Sequence, residues 1–514
     1  MIISQPDITL NILPAQRDID NTTHRVLIVG QMLSGTATSG AVNVNVGNDH
    51  EEDALFGRAS HVAALVRQFR RINPISPIDV VGYTEALGVK ASGTVVFTGP
   101  ATAAGTIYVT IGSDADNKYA IAVASGDTAT TIGDALVAAM AADTTSVAVG
   151  VNTTGSVAIT HKQKGTIGNQ VPIKVTNLPA GVGVTITGMS SGATDPTITG
   201  LEALIDGRRY HSIVFPGTWS LSTLGTILTN RLNATNAILD GMAIVTKADT
   251  YSNLLTYVSS RNNPLLIAIG NPLVSVSGRL VGGAIVEISD NISAQFAAIR
   301  ALRLTRDSNL SRYVIGNNGP KDVFGGPHLA SLPYFNTPFY NLPLIQQGDG
   351  FTRTQIEALQ LVGVSVLGNN VAGNMLIAGE IVTTYLTDVG GNADSSFKYA
   401  EYVDTISNVR EYIFNNLKLQ YAQSRLTDGA LTPGYNMANA DSIKAYITGL
   451  YITLSDTGYV LTRGGESIIK YFKDNLTVSL NLETGAVTIG MIVPIVVQLR
   501  TIFANIRLAF NTNN

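Results

Sequence analysis

Three stretches of this 514-residue chain carry residue types at spacings that chemistry can use. Residues 30–36 (GQMLSGT) follow an apolar run, as a phosphate-cradling loop does. Such a loop needs a lysine after its last glycine to reach the outer phosphates, and here Gly35 is followed directly by Thr36. A glycine-rich turn is the simpler reading. Residues 188–192 (GMSSG) have the spacing of a hydrolase nucleophile elbow, whose serine must sit on a strand-to-helix turn. They lie instead in a Gly/Thr-rich segment that reads as the exit of a β-rich region. His50, Glu51, Glu52, Asp53 and His61 gather potential metal ligands. The two histidines lack the i,i+4 spacing of a zinc helix, and acidic residues in a first turn complement the helix dipole without any ion. The other histidines (His24, His161, His211, His328) are scattered, and Trp219, in a PGTWS turn, reads as a packing anchor. No catalytic, cofactor-binding or metal site is therefore expected.

Composition points away from enzymes and toward contacts. Charged residues make up only 14%, against about 25% in average chains, and 50 glycines exceed the usual ~7%. A surface poor in charge suits repeated subunit contacts. The formal net charge is −4 with dispersed basic residues, so no nucleic-acid footprint is present. The absence of cysteine excludes disulfides, thiol catalysis and cysteine–zinc sites. The opening MIISQPDITLN has no basic segment followed by an apolar run, so a signal peptide is not expected. The apolar segment 489–497 is short and broken by Gly490 and Pro494, so no membrane insertion is expected either.

The elements that would position any site read as a discontinuous α/β core. Residues 25–30 (RVLIVG) form a compact apolar strand, an amphipathic helix through Ala59, Val62, Ala63, Val66 and Phe69 stops at Asn73-Pro74, and residues 78–83 (IDVVGY) form the next strand. From about residue 91 to 197 Thr, Val, Gly and Ala dominate in recurrent short strands with one small helix, 130–142, which reads as an inserted β-rich domain. Strands at 211–215, 242–246 and 265–270 alternate with helices, capped by Ser222 and Asp249, as a doubly wound parallel sheet requires. The expected division is an N-terminal arm (1–22), core (23–90), insert (91–197), core (198–390), a small C-terminal α/β domain (391–500) and a terminal strand (501–514). In the last segment Ile502, Ala504, Ile506, Leu508 and Phe510 share one face, and Ile8, Leu10 and Ile12 repeat the pattern near the start. Burying the five C-terminal residues contributes about 8–15 kcal/mol, whereas ordering ten residues costs about 10–20 kcal/mol. Such a strand is expected to be lent to an open sheet edge on another subunit.

Four segments carry a family likeness. They are RVLIVGQMLSGTA, then DALFGRASHVAALVRQFRRINP (53–74), then the pair YAIAVASGDTATTIGD (119–134) and ITHKQKGTIGN (159–169), and finally VVQLRTIFANIRLAF. The chain resembles contractile tail sheath proteins of myophages, particularly those similar to the Mu sheath. That resemblance implies a subtilisin-like core without protease activity and a structural subunit with no cofactor. It implies self-assembly into stacked, hexameric rings that form a helical sheath around the tail tube protein, ending at baseplate and tail terminator proteins. It also implies synthesis in the host cytoplasm, residence in the virion tail, and contraction that drives the tube through the host envelope. The sheath of a bacteriocin or another contractile injection system is an alternative, and an α/β hydrolase is the alternative of another class. Lys470 and Lys473 are candidate tube-facing residues on a helix at 466–473.

Overall fold

A computed structural model describes residues 24–495 except 48–49, 86, 199, 235–237, 277–279, 308–313, 317–318, 322–338, 340–341, 370–374, 457–459 and 462–465. The chain divides into two compact units, Met1–Leu329 with Tyr334–Val403, and Ala330–Pro333 with Asp404–Asn514.

The first unit opens with β1 (Val26–Gln31), α1 (Glu51–Phe56), α2 (His61–Ile72) and β2 (Ile78–Tyr83). Both strands are buried along their whole length, as near-continuous apolar runs in a two-sided parallel sheet should be. The Ser60 side chain accepts the Ala63 amide and starts α2, so Ala59 falls before the helix rather than inside it. Asn73, ahead of Pro74, ends it.

The next segment holds β3 (Lys90–Thr98), β4 (Gly105–Ile111), β5 (Lys118–Val123), α3 (Ala129–Ala142), β6 (Ala148–Thr153), β7 (Ser156–Lys164), β8 (Ile173–Thr176) and β9 (Gly183–Ser190). Burial alternates strictly along β3 and β7, giving each one buried face (Ala91, Val95 and Phe97; Val157, Ile159, His161 and Gln163) and one outer face. Strands β9, β3, β7 and β6 pair in that order as an antiparallel sheet.

The α/β rhythm resumes with β10 (Ser212–Val214), α4 (Leu221–Leu232), β11 (Met242–Asp249), α5 (Tyr251–Tyr257), β12 (Leu266–Val276), β13 (Leu280–Gly283), α6 (Ser289–Asp307), α7 (Arg353–Leu361), β14 (Val364–Asn369) and β15 (Met375–Ala378). The expected caps shift by one or two residues. Ser220 precedes α4, while the Thr250 side chain caps α5 because Asp249 still belongs to the strand before it.

Parallel pairing runs β2–β1–β10–β11–β12–β14. Helices cover both faces. A Cβ on Gly30 would lie 3.0 Å from His61 of α2, and one on Gly270 would lie 2.9 Å from Leu254 of α5. The registers Val26↔Ser212↔Met242 and Lys247↔Gly270 put these two glycines on opposite faces. Helix α6 shares the α2 face, since Thr246 and Ser293 hydroxyls lie 2.7 Å apart. The mixed α/β class read from the sequence therefore holds.

The β-rich segment is not joined to the core by its two chain connections alone. The far half of β12 pairs with β13, β13 with β8, β8 with β4 and β4 with β5, so the sheet curls on from the core into the insert. Ile167 packs in the core cluster, and Ile288, from the core side, packs in the insert's cluster.

The second unit contains the greater part of α8 (Ala400–Tyr421), then α9 (Ala440–Asp456), α10 (Glu466–Asp474) and a hairpin of β16 (Thr477–Asn481) and β17 (Ala486–Gly490). Phe472 and Tyr451, both fully buried, stack at 4.1 Å and tie α10 to α9.

Candidate functional site

The phosphate-loop lookalike is spent on backbone packing. Amides of Leu33, Thr36 and Ala37 donate to the carbonyls of Phe56, Ala54 and Leu55 at 2.9–3.0 Å, so they do not converge on an anion. Gly35 is glycine because a Cβ there would lie 2.1 Å from the Leu55 carbonyl oxygen. In GMSSG, Ser190 ends β9 opposite Ser92, and the Gly192 amide donates to Asn169 Oδ1 at 2.9 Å. The serine is thus on a strand pair and not on a strand-to-helix elbow. Trp219 is buried, edge-on to Phe215 and Tyr83, as a packing anchor would be.

His50, Glu52 and Asp53 do come together, with ligand atoms within 4.8 Å of one another. Arg67 Nη1 already stands 2.6 Å from Asp53 Oδ1 and 3.9 Å from Glu52, and Arg58 Nε lies 3.6 Å from Asp53. The guanidinium groups supply the positive charge there. His61 is elsewhere, pointed into the core.

Among the described residues His61 and Asp290 form an arrangement that looks catalytic, a buried histidine–carboxylate pair with Nε2 3.0 Å from Oδ2. The backbone amide of Gln31 donates to His61 Nδ1 at 3.3 Å. That assigns the proton to Nε2, which donates to Asp290, and leaves no ring nitrogen for a substrate. Asp290 Oδ1 accepts the Gly217 amide at 2.8 Å, and Gly217's carbonyl accepts the Tyr257 hydroxyl at 2.6 Å. The pair is a structural strut.

More buried polar contacts line the seam between core and insert. Gln163 Oε1 accepts the His61 amide at 2.7 Å, Gln31 Nε2 donates to the Lys164 carbonyl at 2.8 Å, and Gln170 Oε1 accepts the Ala248 amide at 2.7 Å. Ser113 donates to Glu287 Oε2 at 2.8 Å, and at the solvent-exposed rim Arg71 pairs with Asp116. Burial pushes the Glu287 carboxyl up to about 7, Asp116 adding to the push against the hydrogen bonds from Asn291, Ser113 and Ile288. Burial also lowers His161 to about 4.

At the other end of the strands Asp79, fully buried in β2, accepts from Arg25, Arg208, Tyr210 and the Asn45 amide at 2.6–2.9 Å. Burial alone would raise its pKa, but the Asn45 amide, Arg208, Tyr210 and Arg25 outweigh it and hold the carboxyl below its usual value. His24 and His211, next in sequence to Arg25 and Tyr210, bring their ring centroids within 4.2 Å at a tilt of 58°. Burial, with Arg209 and Arg300 nearby, lowers His24 to about 3 and His211 well below the ordinary imidazole value, where His24 adds its own repulsion. Asp79, Glu287 and Asp290 were not singled out in the sequence. A lone carboxylate inside the apolar run IDVVGY was the available signal for Asp79.

The tube-facing candidates fall on α10. Lys470 is exposed and bonds Asp474 one turn along at 2.7 Å, and Lys473 is exposed in the last turn. The arm residues Ile8, Leu10, Ile12, Ile502, Ala504, Ile506, Leu508 and Phe510 lie outside the described residues. Among the described residues no helix is long and apolar enough to cross a membrane.

No protein-family model matches the chain. Among solved structures it is similar to the sheath tail protein Lin1278 from Listeria innocua, at TM-score 0.46 and 11% identity over 93% of each chain. It is also similar to a chain of the contracted helical sheath of the anti-feeding prophage, at TM-score 0.45 and 10% identity over 99% of this chain and 100% of that one. Among curated proteins it is similar to the Mu-like prophage FluMu tail sheath protein of Haemophilus influenzae, 27% identical over 449 residues, covering 85% of this chain and 84% of that one. The likeness read from the four sequence segments is borne out: a Mu-like prophage tail sheath protein is a homologue of this chain along most of its length.

Proposed function

We propose that this chain is the structural subunit of a contractile tail sheath, resident in the virion tail. The observation that carries the reading is its homology to a Mu-like tail sheath protein over 85% of its residues. The engaged ring nitrogens of His61 and the occupied amides of the 30–37 loop support a subunit without catalytic or nucleotide chemistry. The parallel core is then the subtilisin-like body of the family, with the insert as its outer domain and the C-terminal unit facing the tube protein.

Assembly proceeds by strand exchange. The terminal strands around Ile8–Leu10–Ile12 and Ile502–Phe510 are lent to neighbours, a heterologous contact that propagates instead of closing. The β16–β17 hairpin supports this. Val478 and Leu480 pair with Ile489 and Val487 on one half-buried face, and no third strand flanks either edge among the described residues. Contraction follows as rotation of rigid subunits from a trapped extended lattice to a lower-energy one, with no nucleotide consumed.

Negative-stain microscopy of the purified chain, alone and with its tube protein, tests the reading. Hollow sleeves that shorten and widen on heating are expected. A monomer that stays dispersed and binds a small ligand overturns it, as does an ATP requirement for contraction.

A further inference from the structure

We propose that Gln163 and Asp290 form a latch that seals the crevice at the strand crossover and locks core and insert into one rigid body. In an open parallel sheet the crevice lies beyond the carboxyl ends of the strands, where the winding reverses. Here β2 lies to one side of β1 and β10 to the other, so the reversal falls between β1 and β10. A doubly wound protein ordinarily leaves this place open for a ligand. In this chain the end of β7 fills it, with the Lys164 carbonyl held by Gln31 and the Gln163 side chain held by the His61 amide.

The contacts form a relay. Gln163 of the insert grips α2 through the His61 backbone, and the His61 ring grips Asp290 at the start of α6. Asp290 in turn grips the loop after β10 through Gly217, and Gly217 grips α5 through Tyr257. Each Asp290 oxygen has a different donor, so an amide in its place would turn an N–H toward one of them. Gln163 and Asp290 are both nearly fully buried, so no water replaces a lost partner cheaply. The latch stands on contacts within this chain and does not depend on the sheath reading.

Hydrogen exchange of the full-length chain tests it, read at the two junctions, residues 84–90 and 191–197. Asp290→Ala and Gln163→Met, the latter keeping volume while losing the acceptor, are expected to speed junction exchange roughly ten-fold or more. They should also split the thermal transition of the first unit into two. The only tryptophan, Trp219, two residues from Gly217, should become more accessible to acrylamide in Asp290→Ala. Thr246→Val removes a buried core hydrogen bond outside the relay and should lower the melting temperature without opening the junctions. If Asp290→Ala does not fold, Gln163→Met decides. Unchanged junction exchange in Gln163→Met, equal opening by Thr246→Val, or wild-type junctions that already exchange as fast as those of Gln163→Met overturns the latch.

Discussion

Arg25 Nη1 lies 2.6 Å from Asp79 Oδ1, joining the residue just before the first core strand to a carboxylate with no solvent exposure in the neighbouring strand. Arg208, on the chain entering β10, holds the other oxygen at 2.7 Å. One buried charge thus pins the entry points of three adjacent parallel strands.

Removing that charge leaves two guanidinium groups facing a dry strand. Asp79→Asn is expected to cost about 2–4 kcal/mol, toward the low end of a broken buried pair because both arginines reach solvent. Urea denaturation measures it, and a loss below about 0.5 kcal/mol would show that the cluster is not structural.

Acid should act on the seam and the histidines in opposite senses. Glu287 is raised in the folded state, so its stabilisation is full below about pH 4.5 and is lost as pH rises through 7. His161 and His24 are lowered to about 4 and about 3, so the stability they contribute is present above about pH 6.5 and drains as pH falls toward those values. Glu287→Gln, which Ser113 can accommodate by rotating its hydroxyl, should therefore stabilise the protein at pH 8 by on the order of 2–3 kcal/mol and change little at pH 4.5. Melting curves across that range check the crossover.

Truncation after residue 500 is expected to leave a folded, soluble subunit that forms no sleeves. Circular dichroism and microscopy of the same sample separate the outcomes. A truncated chain that unfolds would place the terminal strand in the subunit's own sheet.

Charge reversal on α10 separates a tube contact from a solvated helix. Lys470→Glu and Lys473→Glu, both at exposed positions, should shift stability by no more than about 0.5 kcal/mol. If the helix meets the tube, co-sedimentation of sheath with tube protein falls in the double variant while sheath self-assembly persists. Unchanged co-sedimentation removes these lysines from the interface.

Much of the core was legible because local patterns suffice for it. RVLIVG and IDVVGY are apolar on both faces, and only a strand covered on both sides tolerates that. The stop at Asn73-Pro74 follows from the steric demand of proline on its predecessor. Caps were less legible: Asp249 and Thr250 are both competent, and the length of β11 decides between them. The β-rich character of residues 91–197 was legible in composition, but the continuity of its strands with the core sheet was not, since β13 meets β8 across more than a hundred residues of sequence.

The sequence by itself determined the class of protein. A missing lysine after Gly35, scattered histidines and a charge-poor composition gave no motif for the common chemistries, and four ordered segments carried the likeness to tail sheaths. Only the tertiary structure decided what His61 does. Its ligand-like neighbours in sequence, His50, Glu52 and Asp53, are not its partners, and its ring meets Asp290, 229 residues away, and the Gln31 amide. Spacing along the chain reports which groups share one element. Whether a buried imidazole is a base or a strut depends on what occupies both its nitrogens, and that is settled by packing between elements.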